Sequence, residues 1–561
     1  MIYVLGLLGF TLAFLLPGHY FPWTSFQQEA AAAAGAALCA LGVAVTSKTW
    51  PVRAPVPALA LALLAVVPLA QWLLGNIAYR ADAVLPALYL VGAALTVVTA
   101  LELFRLHGQR FLEATFGAVL AAALASVGIG IAQWLDISPN FPIELISRGD
   151  RVSANLHQPN HLASLLGIGL IGVIWLYERR RLGGFVTAFV AAYLAFGLLL
   201  TQSRTAWLFL LLTAALFWYA SRGRVQFRLT PSNVVVFVAL FAMGAIGWGH
   251  VSDVVQSGLS TQGFTQRAQA GPRLIIWTVM ADAAMHMPLF GYGWMQTPAA
   301  QLNVALNHPP VMHWLSSSHN LALDILLWNG WPVGLLAIGG TTIWAVTRIR
   351  SCHTIDSWAA IAALTVLAAH SMVELPMHFA YFVLLAALFV GVVEAGHASS
   401  GRPVVAMGRA AYVGASMAVT LVLVAVCGEY LQVEEQERRA TLKAAGYVAD
   451  GAPPAVPDVV ILDGLREFIR LQLAVAREGM SGDEIEQMRM VVSRYPVPPA
   501  LMRYAIAAAL NGRVQEAERA LALICLTAKP DNCQLGRESW KNLSLNSAKV
   551  ALVPYPDVQR R

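Results

Sequence analysis

The stretch SSSHNLALDILLWNGW, at residues 316–331, joins a polar segment to the beginning of a long apolar run. Its polar part ends in His319 and Asn320. An imidazole has an ordinary pKa of about 6.5, so His319 could accept a proton at neutral pH. At the mouth of a membrane helix, such a base would meet substrates that are carried on lipids. The rest of the chain must position this pair and supply its charged partners.

Three more stretches place polar residues beside apolar runs, where polar side chains are costly and indicate function. They are HQPNH with Gln158, Asn160 and His161, QSRT with Gln202, Ser203 and Arg204, and HSMVELPMHFAYF with Glu374, His378 and Tyr381. Guanidinium groups bind phosphate with two parallel hydrogen bonds, and Arg204 is joined by Arg273 from a long connecting segment. These residue types predict a site for a phosphate-rich ligand next to a general base.

The elements that must position these residues are membrane helices. Of the 561 residues, 58% are hydrophobic and 12% are charged, whereas a soluble chain carries about 25% charged residues. Apolar runs of spanning length therefore predict an all-α polytopic membrane protein. We count thirteen runs: 2–16, 30–45, 56–74, 84–101, 114–134, 162–177, 185–200, 205–220, 234–248, 321–346, 358–372, 377–393 and 410–427.

The charges in the loops predict the orientation. Alternate loops are rich in Lys and Arg, namely Lys48 and Arg53, Arg105 and Arg110, Arg179 to Arg181, Arg222 to Arg228, Arg348 and Arg350, and Arg402 and Arg409. The positive-inside rule places these loops and the N-terminus in the cytoplasm, and an odd number of spans places the C-terminal tail outside. The net charge of +6 mostly reflects these loops rather than a nucleic-acid surface.

The four polar stretches open the sixth, eighth and tenth spans and the junction to the twelfth. With this topology, all four helices enter from outside. Helix N-termini carry about half a positive charge and unsatisfied N–H groups, which favour anions. Arg273 belongs to a helix predicted from near Pro272 to before Pro288. The site is therefore expected at the external membrane surface.

Each residue also has a purely structural interpretation. Arg204 could extend to lipid headgroups, and Asn160 and His161 could be helix caps. His319 could be a loop histidine without a partner, and Tyr381 could be an interfacial anchor. Asp324 could orient His319 or bond to another helix. The functional interpretation is favoured because the four stretches are expected on one face together.

Two domains are predicted. Residues 1–428 form the transmembrane part, which includes an external loop at 249–320, and residues 429–561 form an external α-helical tail. The tail follows a joint with Pro453, Pro454 and Pro457. Helices on both sides of the turn Asn511-Gly512-Arg513 resemble one tetratricopeptide unit, without a clear second copy. Cys525 and Cys533 lie close enough for a disulfide in an oxidising compartment, or could stay reduced.

The motifs QPNH, SRTAW, PRLIIW, SSHN and HSMVELPMHFAYF, between about Gly130 and Val393, resemble those of bacterial protein O-oligosaccharyltransferases, the pilin glycosylation ligases of the O-antigen ligase superfamily. The resemblance implies an inner-membrane enzyme that transfers a whole glycan from undecaprenyl pyrophosphate to a Ser or Thr hydroxyl of a periplasmic protein such as a pilin. It implies neither a metal nor another cofactor.

The resemblance also implies roles for individual residues. Arg204 and Arg273 would neutralise the pyrophosphate leaving group, and His319 would accept or orient the hydroxyl proton. Gln158, Asn160, His161, Asn320 and Tyr381 would shape the substrate site. Two alternatives remain: an O-antigen ligase acting on lipid A–core or a polymerase, and a transporter of lipid-linked glycans. A transporter is expected to have inverted repeats and polar groups at the membrane centre, which the sequence does not display.

Overall fold

A computed structural model describes residues 2–137, 144, 151–255, 273–397, 405–447 and 453–557. These ranges are predominantly helical, as the sequence predicts. Within them, the one sheet pairs two short strands, β1 (Val52–Ala54) and β2 (Val405–Met407). The strands are antiparallel, with Val52 opposite Met407.

The helices before the tail have the following bounds. They are α1 (Ile2–Leu15), α2 (Phe26–Thr46), α3 (Val56–Leu64), α4 (Val66–Leu73), α5 (Ala81–His107), α6 (Gln109–Trp134), α7 (Pro159–Glu178), α8 (Gly184–Thr201), α9 (Arg204–Ser221), α10 (Pro231–Val255), α11 (Arg273–His286), α12 (Thr297–Val304), α13 (Leu321–Arg350), α14 (Ile355–Ser371), α15 (Ala380–Ala395) and α16 (Arg409–Ala444). Short 3-10 turns lie at Ala305–Asn307 and Pro376–His378.

Within the described ranges, ten segments are long and apolar enough to cross a membrane. Three further apolar helices, α1, α14 and α15, are shorter. These segments correspond to the thirteen predicted runs, and the number of actual crossings stays a prediction. The run at 56–74 is divided into α3 and α4, because Pro68 has no N–H to donate to the Leu64 carbonyl.

Several of the basic loops meet at one end of the helix bundle. The guanidinium of Arg179, after α7, lies 2.6 Å from the Asp356 carboxylate at the start of α14. Arg224, after α9, donates to the carbonyl of Arg350 at the end of α13 at 2.6 Å. The opposite ends of the same helices, where α7, α9 and α13 begin, carry the polar stretches. Loop charge and polar motifs therefore separate to opposite ends, as expected from the sequence.

Helix α13 is interrupted within the NGWP stretch. Gly330 has φ 72° and ψ 176°, a conformation essentially restricted to glycine. A Cβ there would lie 2.4 Å from the Leu289 carbonyl oxygen. Pro332 cannot donate to the Trp328 carbonyl, which instead accepts from the Gln71 side chain at 2.7 Å. The break thus ties α13 to α4 and to the loop after α11.

That loop helix agrees with the prediction. Helix α11 ends at His286, before Pro288, and left-handed glycines follow at Gly291 and Gly293. Pro272, where the helix was predicted to begin, lies outside the described residues. Arg273 is the first described residue of α11.

The tail begins as a continuation of α16, as predicted, and adds six helices. They are α17 (Asp463–Leu473), α18 (Gly482–Arg494), α19 (Pro498–Leu510), α20 (Val514–Thr527), α21 (Pro530–Asn546) and α22 (Ala548–Ala551). The α19–turn–α20 pair occurs where the tetratricopeptide-like unit was predicted; whether the tail is a repeat fold stays a prediction. Cys525 and Cys533 form a disulfide between α20 and α21.

The tail is joined to the membrane part by buried polar contacts. The Asp463 carboxylate accepts the first backbone N–H groups of α5, from Arg80 at 2.9 Å and Ala81 at 3.0 Å. The Arg494 guanidinium lies 2.9 Å from the Asp82 carboxylate, and both side chains are nearly buried. The helix α5 thus receives its N-terminal cap and its counter-charge from the tail.

Candidate active site

Four of the predicted site residues converge on one carboxylate, that of Glu374 in the turn between α14 and α15. His319 Nδ1 lies 2.8 Å from Glu374 Oε2, and Arg273 forms an ion pair with Oε1. Asn160 donates to Oε1 at 3.0 Å, and Gln158 Nε2 lies 3.5 Å from Oε2. Glu374 is only 7% exposed, whereas Arg273 and His319 keep 26% and 22% of their side chains exposed. The Arg273 and His319 side chains are therefore accessible to solvent, while the carboxylate that they share is not.

His319 sits on a turn held by Asp324, in the first turn of α13. Asp324 accepts from the Ser317 hydroxyl at 2.5 Å and from the Ser318 N–H at 2.7 Å. The Ser317 oxygen in turn accepts the His319 N–H at 2.9 Å, and His319 has a left-handed φ of 56°. Asp324 does not orient the imidazole, contrary to one of the two roles predicted for it. It fixes the backbone of the turn instead, and Glu374 contacts the ring.

Asn320 caps the helix that begins beside His319. Its side-chain oxygen accepts the Leu323 N–H at 3.2 Å, which satisfies one of the first amides of α13. Its amide nitrogen donates to the Met372 carbonyl at 3.2 Å, at the end of α14. Asn320 therefore fixes the distance between the His319 turn and the Glu374 turn, and its contact with substrate stays a prediction.

Asn160 connects Glu374 to a second group of residues. Its side-chain oxygen accepts from the Ser203 hydroxyl at 2.7 Å and from the Arg151 guanidinium at 3.1 Å. Arg151 also donates to the Thr201 carbonyl at 2.9 Å, at the end of α8. Arg204 follows Ser203 as the exposed first residue of α9. The start of α9 and its arginine are thereby held beside α7.

His161 and Tyr381 form a separate, buried pair. The Tyr381 hydroxyl lies 3.2 Å from His161 Nδ1, and the two residues are 1% and 2% exposed. His161 also packs edge-on against the ring of Phe379, with centroids 4.6 Å apart. This pair lies in the protein interior rather than on an open surface. Tyr381 is therefore not an interfacial anchor, because it contacts neither water nor lipid.

The structure also excludes two other structural interpretations. Asn160 and His161 lie within α7, whose N-cap position is Gln158, so neither is the cap residue. His319 is not a histidine without a partner, because it faces Glu374. The interpretation of Arg204 as a headgroup contact is not tested by these contacts.

The partners of Glu374 determine its charge state. Burial alone would raise the pKa of the Glu374 carboxyl, but the hydrogen bond and charge of His319 and those of Arg273 outweigh it and lower the pKa to about 2. Glu374 is thus ionised at neutral pH and is the counter-charge of Arg273. In the described part of the chain, no group of three His, Cys, Asp or Glu side chains could hold a metal ion.

Two residues of this cluster are absent from the site predicted from the sequence. Glu374 gave a signal, since it is an acidic residue between two apolar runs within the HSMVELPMHFAYF stretch. Arg151 gave none that distinguishes it from other loop arginines, because its partners Asn160 and Thr201 follow it at unrelated spacings.

Comparisons with known proteins match the chain in three parts. A family described as "Protein glycosylation ligase" matches residues 153–177, one described as "O-Antigen ligase" matches 189–338, and one described as "Virulence factor membrane-bound polymerase, C-terminal" matches 358–525. The first part contains Gln158, Asn160 and His161, the second Arg204, Arg273 and His319, and the third Glu374 and Tyr381.

Two curated relatives come from Acinetobacter baylyi. The chain is 31% identical over 394 residues to its "General O-oligosaccharyltransferase", an alignment that covers 69% of this chain and 68% of that protein. It is 27% identical over 276 residues to its "ComP-specific O-oligosaccharyltransferase", covering 47% of this chain and 48% of that protein.

Proposed function

Since this chain belongs to the O-oligosaccharyltransferase family, we propose that it transfers a preassembled glycan from undecaprenyl pyrophosphate to a Ser or Thr hydroxyl of a periplasmic protein such as a pilin, without a metal. The observation that carries this proposal is the convergence of Gln158, Asn160, Arg273 and His319 on Glu374. It combines a general base, a carboxylate that orients it and cations for a leaving phosphate.

The proton of the acceptor hydroxyl goes to His319. With Nδ1 facing Glu374, the free Nε2 takes the proton while the hydroxyl oxygen forms its bond to the anomeric carbon. The bond from that carbon to the pyrophosphate oxygen breaks, and the electron pair leaves with the phosphate. Ionised Glu374 stabilises the imidazolium that forms, as a carboxylate does in a catalytic triad. An in-line displacement predicts inversion at the anomeric carbon.

Positive charge supplies the second part of the rate enhancement. Arg273 and Arg204 would bind the pyrophosphate oxygens, and Arg151, held by Asn160 and Thr201, adds a third guanidinium. Arg273 already pairs with Glu374, so an arriving pyrophosphate would share this cation with the carboxylate. Gln158 would contact the glycan or the acceptor, and the buried His161–Tyr381 pair would support the wall behind them.

The site and the tail are placed in the periplasm by this proposal. The positive-inside rule supports that orientation, because arginine-rich loops gather at the opposite end of the bundle. The Cys525–Cys533 disulfide of the tail also supports it, since disulfides persist in the oxidising periplasm and are rare in the cytoplasm. The α19–α20 pair of the tail offers a helical surface for a protein acceptor.

The first test is mass spectrometry of periplasmic and pilus proteins from cells with and without the gene. Glycan masses on Ser or Thr peptides that vanish with the gene are the expected result. Unchanged proteins with a truncated lipopolysaccharide would instead favour an O-antigen ligase acting on lipid A–core. If cells without the gene lose transport of the lipid-linked glycan, and the purified protein catalyses no transfer, the result would favour the transporter.

The second test measures transfer by the purified protein in nanodiscs. His319→Ala should abolish transfer from an undecaprenyl-pyrophosphate donor to an acceptor peptide, with retained donor binding. His286→Ala is the matched control, since His286 is an exposed histidine at the far end of α11, about 20 Å along the helix from Arg273. Full activity of His319→Ala would remove the base from the mechanism, and retention of configuration in the product, seen by NMR, would contradict in-line displacement.

A further inference from the structure

A large apolar cavity lies between α7, α8, α9 and α10, and Trp358 and Val366 of α14 also line it. Its volume is about 570 Å³, within the range of about 300–1,000 Å³ that ligand pockets occupy. Small side chains such as Gly167, Ala191, Ala195 and Ala214 leave this space open, and aromatic rings such as Phe209 form its walls. Since nearly all of the lining is apolar, the cavity suits a hydrocarbon rather than a sugar or a peptide.

The cavity is longer than one leaflet of a bilayer. Along α8 its lining extends from Gly184 to Leu199, which corresponds to about 22 Å of helix. Half of a hydrocarbon core of about 30 Å is only about 15 Å. A phospholipid acyl chain, which ends near the bilayer centre, would leave part of this length empty. A longer chain could fill it.

One end of the cavity lies toward the active site along α8 and α9. Leu199 lies two residues before Thr201, whose carbonyl binds Arg151. Phe209 lies five residues after Arg204, or about 8 Å along α9. A lipid whose phosphates are near these arginines could therefore continue directly into the cavity.

We propose that this cavity holds the isoprenoid chain of the lipid-linked donor. The inference rests on the proposed function, which supplies a pyrophosphate at the arginines. The cavity has an apolar lining, is longer than one leaflet and lies in line with the cationic site. These three features fit one long, methyl-branched hydrocarbon chain attached to a diphosphate.

A second apolar groove, between α2, α5, α15 and α16, fits this ligand less well. Its volume is about 90 Å³. Its acidic residue is Glu29, whose buried side chain accepts hydrogen bonds from Ser25, Trp23 and the Ala380 N–H. Among the described residues, the lining of this groove contains no Lys, Arg or His that would attract a pyrophosphate. This groove therefore supplies matched control positions for the test.

The test places a tryptophan side chain in the cavity or in the second groove. Each variant is assayed in nanodiscs with two donors, one with the full undecaprenyl chain and one with two isoprene units. Ala195→Trp and Ala214→Trp should raise the KM for the long donor at least about tenfold, because several buried methylenes lose contact with the wall. Their kcat/KM for the short donor should change by less than about twofold. Ala37→Trp, which fills the other groove, should change neither value.

An independent readout is crosslinking of the wild-type protein with undecaprenyl pyrophosphate that carries a diazirine at the far end of its chain. Labelled peptides from 167–177, 184–199 and 233–241 are expected, and excess undecaprenyl phosphate should suppress them. Labelling confined to positions outside α7–α10 and the α14 residues Trp358 and Val366, or suppression by dioleoyl phosphatidylglycerol to the same extent, would overturn the assignment. So would Trp variants that affect both donors equally or neither. By contrast, absence of any transfer by the wild type with either donor would refute the proposed function, and the crosslinking would still decide the cavity.

Discussion

Replacing Glu374 with glutamine keeps the shape of the side chain but removes the charge that faces Arg273 and His319. The pKa of Glu374 falls from its ordinary value of 4.5 to about 2 in the folded protein, which corresponds to about 3.5 kcal/mol at most, since one pKa unit equals about 1.4 kcal/mol. Because the pKa is lower in the folded state, the ionised carboxylate stabilises the fold above about pH 4.5. That contribution disappears as the pH falls toward 2.

The assay is the melting temperature of both proteins in detergent between pH 3.5 and pH 8, followed by transfer rates at pH 7. Glu374→Gln should melt lower than wild type at pH 7, and the difference should shrink as the pH approaches 3.5. Its kcat should fall at least about tenfold, because the imidazolium of His319 loses its counter-ion.

The matched control is Glu434→Gln, which removes a carboxylate from another histidine pair, His19–Glu434, outside the site. Its kcat should equal that of wild type. A melting difference for Glu374→Gln that is the same at pH 8 and pH 3.5 would refute the electrostatic reasoning. Wild-type transfer by a folded Glu374→Gln protein would refute the role of the carboxylate.

Three further substitutions test the supports of the site. Gly330→Ala should lower the melting temperature, because its φ and ψ cost about 1–3 kcal/mol for a residue with a Cβ, which would also meet the Leu289 carbonyl; an unchanged melting temperature would contradict the break in α13. Asp324→Asn should lower kcat but leave donor KM unchanged, since it loosens the Ser318 turn and not the phosphate contacts; a change confined to KM would contradict this role. Cys525→Ser should lower stability by about 2–3 kcal/mol, as expected for opening a short disulfide loop, and dithiothreitol should lower the wild-type melting temperature but not that of the variant.

The sequence was sufficient to predict which helix ends share one side. Loop arginines and helix lengths together determine the direction of each span, so the stretches around Asn160, Arg204 and His319 were expected at one face. The structure adds the contacts between these stretches. Glu374, in the turn after α14, contacts Asn160 and His319 directly and lies beside the Arg204 stretch only through Asn160 and Ser203, and no periodicity in the sequence reports these contacts.

Other features depend on contacts between distant residues. The predicted run at 321–346 contained Gly330 and Pro332, which signal a break, yet the apolar character on both sides favoured a continuous helix. Arg494 meets Asp82 across 412 positions of sequence, and neither residue differs in type from many surface residues. Such pairs follow from the packing of the tail, which a single sequence does not reveal.

The way α5 begins has a consequence for evolution and for engineering. Its first amides depend on Asp463, and its Asp82 depends on Arg494, so the helix is completed by residues encoded about four hundred positions later. Tails exchanged among homologues would have to bring residues 80–82 with them. A chimera whose tail lacked the counterpart of Arg494 would leave the Asp82 carboxylate buried without a counter-charge. Its failure to fold could be mistaken for a change in acceptor preference.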